Sequence, residues 1–380
     1  MKILLIGEYN SSHYTLKEGL EALNHEVLVV GMGDGFKKRM VDINLKWYFR
    51  TGFLSIIKKI IFRVFRIDLA SVLTQIQFNH HKNKFKNFDV VQLINESPFL
   101  TVTKTETTLL SFIFKHNPNV FLLSCGTDYI SVNYAYLKKF RYSILTPYFE
   151  SRVSKKDFQH ILMRIEKPYK NLHDFVYKNI KGIIASDLDY HIPLIENPKY
   201  LGLVPNPIQI KKLKKINLNI NGKIVIFHGI NRENYYKKGN DIFEAALHII
   251  EQKYSNLIKI ITVESLPYNE YITKFDEAHI LLDQVYAYDQ GFNALEAMAK
   301  GKVVFTGAEQ EWLDYYNLKE DTVAINALPD AQKIAEKLEW LLLNPNKILE
   351  ISNNAREFIE KQHNYIDSAK LYLEKWQSKI

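Results

Sequence analysis

At 380 residues, with 47% hydrophobic and 13% aromatic content, the chain exceeds what one core usually supports and holds ample apolar material for two, which excludes a disordered protein. The formal charge of +8 points to acidic partners, yet no recognisable nucleic-acid module accompanies it, so nucleic acid is set aside. A single cysteine, Cys125, excludes an internal disulfide and suits a reducing compartment.

The chain opens on a strand, Lys2–Ile6, followed by a polar loop, a helix near Leu16–Leu23 and a second strand at His25–Val30. This is a Rossmann-like start without the nicotinamide fingerprint, since no G-x-G-x-x-G follows the first strand. The glycines from Gly31 to Gly35 come after the second strand and read as a turn. His13, in the first loop, reads as a solvated histidine rather than a phosphate contact. The apolar run in MKILLIG is too short for a secretory signal, and no stretch approaches the roughly 18 uninterrupted apolar residues of a membrane span. The expected address is the cytoplasm.

Between Lys37 and Ile67 the sequence is basic and aromatic, and from Phe53 onward it is helix-like. Ile57, Ile60, Ile61, Val64 and Phe65 share one side, with Lys58, Lys59, Arg63 and Arg66 interspersed on the other. Two readings fit residues 53–67: a core-facing helix with snorkelling cations, or a helix lying in an anionic membrane surface. The positive charge of the whole chain favours the second.

Further strands are expected at Asp89–Ile94, Val120–Ser124 and Gly182–Ala185, with helices between them. Asp128, just past the second of these, is a candidate to accept or orient a proton at a sheet edge, with an N-cap as the alternative. Cys125 reads as a buried strand-end thiol. Asp187-Leu-Asp189 has the form of a metal-diphosphate pair, but it follows a strand and Ser186 where a helix starts, so capping accounts for it. The adjacent His80 and His81 diverge on a helix, and no metal is expected. Val204-Pro-Asn-Pro-Ile208 and the basic run to Lys215 read as a linker.

A second alternating half starts near Gly222, with strands at Lys223–Phe227, Lys259–Val263, His279–Leu282, Val303–Phe305 and Thr322–Ile325, and a terminal helix over Tyr365–Trp376. After the first of these strands a polar loop carries Arg232, Lys238 and Gly239. Arginine presents a planar fork to two phosphate oxygens and lysine a point charge, so the pair suits a diphosphate leaving group. Before the fourth strand, YDQGFNALEAMAKGK places Gly291 at a turn into a small-residue helix bearing Glu296. Its first amides favour an anion, and a carboxylate one turn in would face a ribose diol. Asn293 and Glu296 also have capping-box spacing, which needs no ligand.

The segment from Tyr288 to Lys302 resembles the signature of retaining, nucleotide-sugar-dependent glycosyltransferases of the GT-B fold, family 4 (glycosyl transferases group 1). In that signature a Glu, seven residues and a second Glu precede EAMA-G-PV; Glu296, Ala297, Met298, Ala299, Gly301, Val303 and Val304 match, and Gly291 stands at the loop glycine. Arg232, Lys238 and Gly239 match the family's diphosphate clamp. The first family acid falls on Tyr288, which leaves the donor-sugar contact to its hydroxyl, to Asp289, or to neither. The likeness is specific over Lys223–Leu313 and architectural before it.

The resemblance implies an α/β protein of two Rossmann-like domains facing each other across a cleft: 1–205 for the acceptor, 206–362 for the nucleotide sugar, and 363–380 a helix packing back on the first. It implies Arg232 and Lys238 at the leaving diphosphate and Asp128 near the acceptor. It also implies Glu296, Gly291, Phe292, Asn293, Ala294 and Tyr288 around the nucleotide sugar, with no metal or other cofactor. The expected activity is sugar transfer from a UDP- or GDP-linked donor to a glycan or lipid-linked acceptor, with anomeric configuration kept, in surface polysaccharide synthesis on the inner face of the cell membrane. The alternatives are a degenerate nucleotide-sugar-binding partner subunit and a nucleotide-sugar epimerase.

Overall fold

The structure is a computed structural model that describes residues 1–33, 41–46, 48–49 and 52–380, with only the backbone of Phe53. Residues 34–40, 47, 50 and 51, which hold part of the expected glycine turn and of the basic segment, lie outside the described residues.

Two parallel sheets follow one another along the chain. The front sheet contains β1 (Lys2–Ile6), β2 (Glu26–Gly31), β3 (Ile43–Asn44), β4 (Val90–Leu93), β5 (Val120–Ser124), β6 (Gly182–Ala185) and β7 (Tyr200–Leu203), in the order β3-β2-β1-β4-β5-β6-β7. The rear sheet contains β8 (Ile224–Ile230), β9 (Ile258–Glu264), β10 (Ile280–Leu282), β11 (Val303–Thr306) and β12 (Ile325–Asn326), in the order β12-β11-β10-β8-β9. Each sheet reverses its winding once, between β1 and β4 in front and between β8 and β10 behind. At such a reversal the loops leaving the two strands part and open a crevice at their carboxyl ends.

Near-continuous apolar strands are what a sheet covered on both faces requires. Leu4 and Ile6 of β1 face one core with Val91, Leu93 and Leu122, while Ile3 and Leu5 face another with Phe121, Leu123 and Trp376. The second core is closed by the terminal helix Tyr365–Gln377, which returns from the rear half onto the front sheet beside the helix Ser12–Ala22. Gly19 permits that approach: a Cβ there would lie 2.3 Å from the Tyr365 carbonyl oxygen. The hinge is held by the same return, since Ile208 bridges Asn364 and its amide donates to the His363 carbonyl at 2.8 Å.

The expected strands are present within a few residues of their anticipated ends, and β3 and β7 are additions. β3 is two residues long, and β7 carries Gly202 at φ +110° beside a register shift against β6, so neither offers a period to read.

His13 is buried rather than solvated, with its Nδ1 2.8 Å from the Gly7 carbonyl oxygen and its Nε2 3.3 Å from Gln92 Nε2. A carbonyl only accepts, so Nδ1 carries the proton and Nε2 accepts from the Gln92 amide. Burial lowers the imidazole to about 4, partly opposed by the Gly7 bond, and keeps it neutral. Gln92 Oε1 then accepts from Trp376 Nε1 at 3.1 Å, so one chain of bonds ties the first loop to the terminal helix.

Candidate functional site

The rear crevice, where β8 and β10 part, is spanned by two side chains. Lys238 ends a short helix, Tyr235–Lys238, in the loop after β8, and Asp283 follows β10 directly. Lys238 Nζ lies 3.0 Å from Asp283 Oδ1; the carboxylate is buried and the ammonium keeps 31% of its side-chain surface exposed. Gly239 makes the turn at φ +72°, and a Cβ there would lie 2.7 Å from Val285 Cβ, so position and conformation both require glycine. The Val285 amide donates to the Lys238 carbonyl at 2.9 Å and fixes the loop from the β10 side.

Asp283 also accepts from Asn293 Nδ2 at 3.2 Å and from Thr306 Oγ1 at 3.4 Å. The lysine loop and the first turn of the helix Phe292–Ala299 are thereby drawn to one carboxylate. The Tyr271 hydroxyl donates to Asn293 Oδ1 at 3.1 Å, and its acidity is suppressed by burial first and then by the charges of Asp283 and Glu296, which places Glu296 in the same neighbourhood. Asp283 went unnoticed in the sequence because nothing local marks a strand-end aspartate. The strand order supplies the missing signal.

The capping-box alternative does not hold. The helix is capped by Gly291 and Asn293 is its second residue, with a side chain turned to Asp283 and Tyr271. Glu296 sits a turn further on and lines a small cleft of about 30 Å³ between the halves, together with Phe292, Tyr14 and Glu18 of the first helix and Lys212 after the linker. Gly291 has φ −81° and ψ 168°, which any residue adopts, and a Cβ would meet only the Gln284 amide at 3.8 Å. Neither backbone strain nor protein packing dictates glycine there.

Arg232 stands apart. Its guanidinium makes a two-bond pair with Glu264, at 2.6 and 2.7 Å, at the exposed ends of β8 and β9, and lies 4.9 Å over the Tyr235 ring. Asp128 caps the helix Tyr129–Tyr136 in a capping box with Ser131 and also accepts from the Ser124 hydroxyl. Both carboxylate oxygens are thus engaged in a side chain that is almost fully buried, and the cap reading describes it.

Tyr288 faces the front half rather than Lys238. Its hydroxyl accepts from the Arg141 amide at 2.9 Å, and the Arg141 guanidinium lies 4.9 Å above its ring before reaching Glu309 and Glu311 at 2.6 and 2.7 Å. Asp289 accepts from the amides of Leu188 at 3.0 Å and Gln290 at 2.7 Å. Asp187 caps the helix Leu188–Leu194, while Asp189 accepts from the amides of Tyr288 and Asp289. Of the Asp-x-Asp pair, Asp189 therefore joins the two halves while Asp187 is a cap, and among the described residues no group of three His, Cys, Asp or Glu is placed to hold a metal ion. Burial pushes the Cys125 thiol up to about 12, with Asp187 adding to the effect, so it is inert as a nucleophile.

The seam gives a pH prediction. Burial raises Asp289 from 3.8 to about 6, against the lowering effect of its two amide donors. A carboxyl raised in the folded state contributes stability that is fully present below its unfolded value and is lost as pH rises through the folded one. Asp289→Asn removes that dependence. Relative to the unsubstituted protein the variant should gain up to about 3 kcal/mol between pH ~4 and ~6.5. A stability difference that stays flat across that window, in paired urea titrations, rejects the assignment.

Residues 209–374 match the glycosyl transferase-like family. Solved structures align along the full length at low identity: sucrose-phosphate synthase from Thermosynechococcus elongatus at 14% identity and TM-score 0.62, covering 100% of this chain and 98% of that one. TarM aligns at 10% and 0.60, covering 99% and 98%, and HepE from Anabaena, in complex with UDP and glucose, at 13% and 0.58, covering 100% of both. The chain has the GT-B fold, and its rear half carries a glycosyl transferase-like region. No curated protein matches it in sequence. The family match spans the whole rear sheet, including the Lys238 loop and the helix of Glu296, and the fold likeness extends over the front sheet and the returning helix.

Proposed function

We propose that the protein transfers a sugar from a nucleoside-diphosphate donor, UDP-linked as in the HepE complex, to a glycan or lipid-linked acceptor held against the front sheet. The observation that carries the reading is Lys238, held by a buried carboxylate at the point where the rear sheet reverses, with about a third of its side chain exposed. An ammonium so placed stabilises the charge that grows on the diphosphate as the glycosyl bond breaks, without reorganising in the reaction. The first turn of Phe292–Ala299, from Phe292 through Asn293 to Ala294, with the helix dipole behind it, favours the same anion, and Gly291 leaves its approach open. Glu296 would accept from the ribose hydroxyls.

Arg232 is the second cation of this reading. An exposed pair such as Arg232 with Glu264 is screened by solvent and contributes little, so the guanidinium exchanges carboxylate for phosphate oxygens at small cost. With Tyr288 and Asp289 engaged in the seam, the donor sugar is left to the backbone around Gly291. The proposed outcome at the anomeric carbon is retention, by attack on the face the diphosphate leaves. We place the enzyme in the cytoplasm, on the inner face of the cell membrane, in surface polysaccharide synthesis. No metal or further cofactor enters the reading.

The test is nucleoside diphosphate release from a panel of nucleotide sugars, with and without acceptors, after thermal-shift screening against UDP, GDP and ADP. UDP should raise the melting temperature and Glu296→Ala should abolish the rise, since only a ligand bound to the folded state stabilises it. A shift that survives Glu296→Ala removes the ribose role. Binding without turnover would favour a partner subunit, and an altered sugar formed without acceptor would favour an epimerase.

A further inference from the structure

The helix Gly52–Phe65 turns apolar side chains outward, which argues against the core-facing one of the two readings of this segment. Ile56, Ile60 and Val64 are 53%, 57% and 64% exposed, and at one residue per 100° they form a single stripe. Lys59 and Arg63 form the adjoining row, and Arg66 follows at the end of the helix. Val72 and Ile76, on the neighbouring helix Leu69–His81, are exposed as well. From 52 to 67 there are four bases and no acid. One of the bases, Lys58, is held at 3.3 Å from Asp68, which leaves Lys59, Arg63 and Arg66 as the outward charges. No helix among the described residues is long and apolar enough to cross a membrane.

We propose that this face docks in the plane of an anionic lipid bilayer, the stripe Ile56–Ile60–Val64 entering the acyl boundary while Lys59, Arg63 and Arg66 meet the headgroups. An apolar stripe edged by cations is the arrangement an interfacial helix needs, because the row beside the buried stripe lies at headgroup depth. Charge argues against a second copy of this chain: a two-fold contact through the stripe would bring the basic rows of both copies together. The docking is independent of the donor site. It concerns a helix of the front half, whereas Lys238 and Glu296 belong to the rear.

Sedimentation of the full chain with vesicles decides the matter. The protein should pellet with phosphatidylcholine vesicles containing phosphatidylglycerol, and much less with phosphatidylcholine alone. Added salt should weaken the binding. Ile60→Asp with Val64→Asp should abolish it, and Lys59→Glu with Arg63→Glu should weaken it by about tenfold or more. Both pairs lie on the surface, and a nucleotide-induced thermal shift equal to that of the parent would show each variant intact. Binding to anionic vesicles that neither pair reduces, or no binding at all, overturns the proposal. So does a dimer in sedimentation velocity that Ile60→Asp dissociates, which would put a second copy on this face.

Discussion

Lys238→Ala lowers turnover by about 10²–10³, by analogy with the loss of a single preorganised charge donor at a developing anion. In the proposed reaction the effect falls mainly on kcat rather than on the donor KM, because the charge that Lys238 would meet grows only as the glycosyl bond breaks. The variant also leaves Asp283 buried beside Asn293 and Thr306 with no cation, a loss of about 1–3 kcal/mol or more in stability. Lys238→Arg supplies the control, since it keeps a positive partner for Asp283 while changing a point charge into a wider fork. Steady-state kinetics of nucleoside diphosphate release would separate these effects. A Lys238→Ala enzyme with kcat within a few-fold of the parent would mean that the cation serves only to neutralise Asp283.

Trp376→Ala costs about 3–5 kcal/mol, the range for removing a fully buried large aromatic. The indole fills the core under the front sheet, with its ring 6.4 Å from Phe121 and 5.5 Å from Tyr372. Its removal also frees Gln92 Oε1 and so undoes one end of the chain that fixes His13 and the first loop. The readout is the midpoint of urea denaturation. A loss below about 1 kcal/mol would show that the terminal helix contributes little to the front core. Trp376→Phe, which keeps most of the volume and loses the hydrogen bond, should fall between the two.

Apolar periodicity made most of the strands legible, because a parallel sheet covered on both faces demands runs such as Lys2–Ile6 and Val303–Phe305. The loop from Arg232 to Gly239 and the helix of Glu296 could be picked out as candidates because local chemistry, a turn glycine beside cations or an acid, is written in consecutive residues. Tyr288 could not be read that way. Its position follows a family signature, but its hydroxyl reaches Arg141, 147 residues earlier in the chain. Asp128 read as a proton acceptor or a cap and Asp189 as part of a capping pair, and only their partners separate a helix cap from a carboxylate that binds the opposite half. The helix Gly52–Phe65 carries the complementary lesson: its amphipathic pattern fits two environments, and exposure in the folded chain argues against the core-facing one.

By itself, the sequence determined the two alternating α/β halves and the terminal helix, since each depends on periodicity, while the return of that helix and the choice of Arg232, Lys238 and Glu296 among the candidates came from the family resemblance. The tertiary structure decided that Asp283 joins Lys238 to the first turn of Phe292–Ala299, that Arg232 turns to Glu264, and that Asp189 and Asp289 serve the seam. Those outcomes hang on strand order and on contacts between halves. A side chain's local context fixes its chemistry, but the charge or amide it meets is supplied by segments brought beside it only when the sheets assemble.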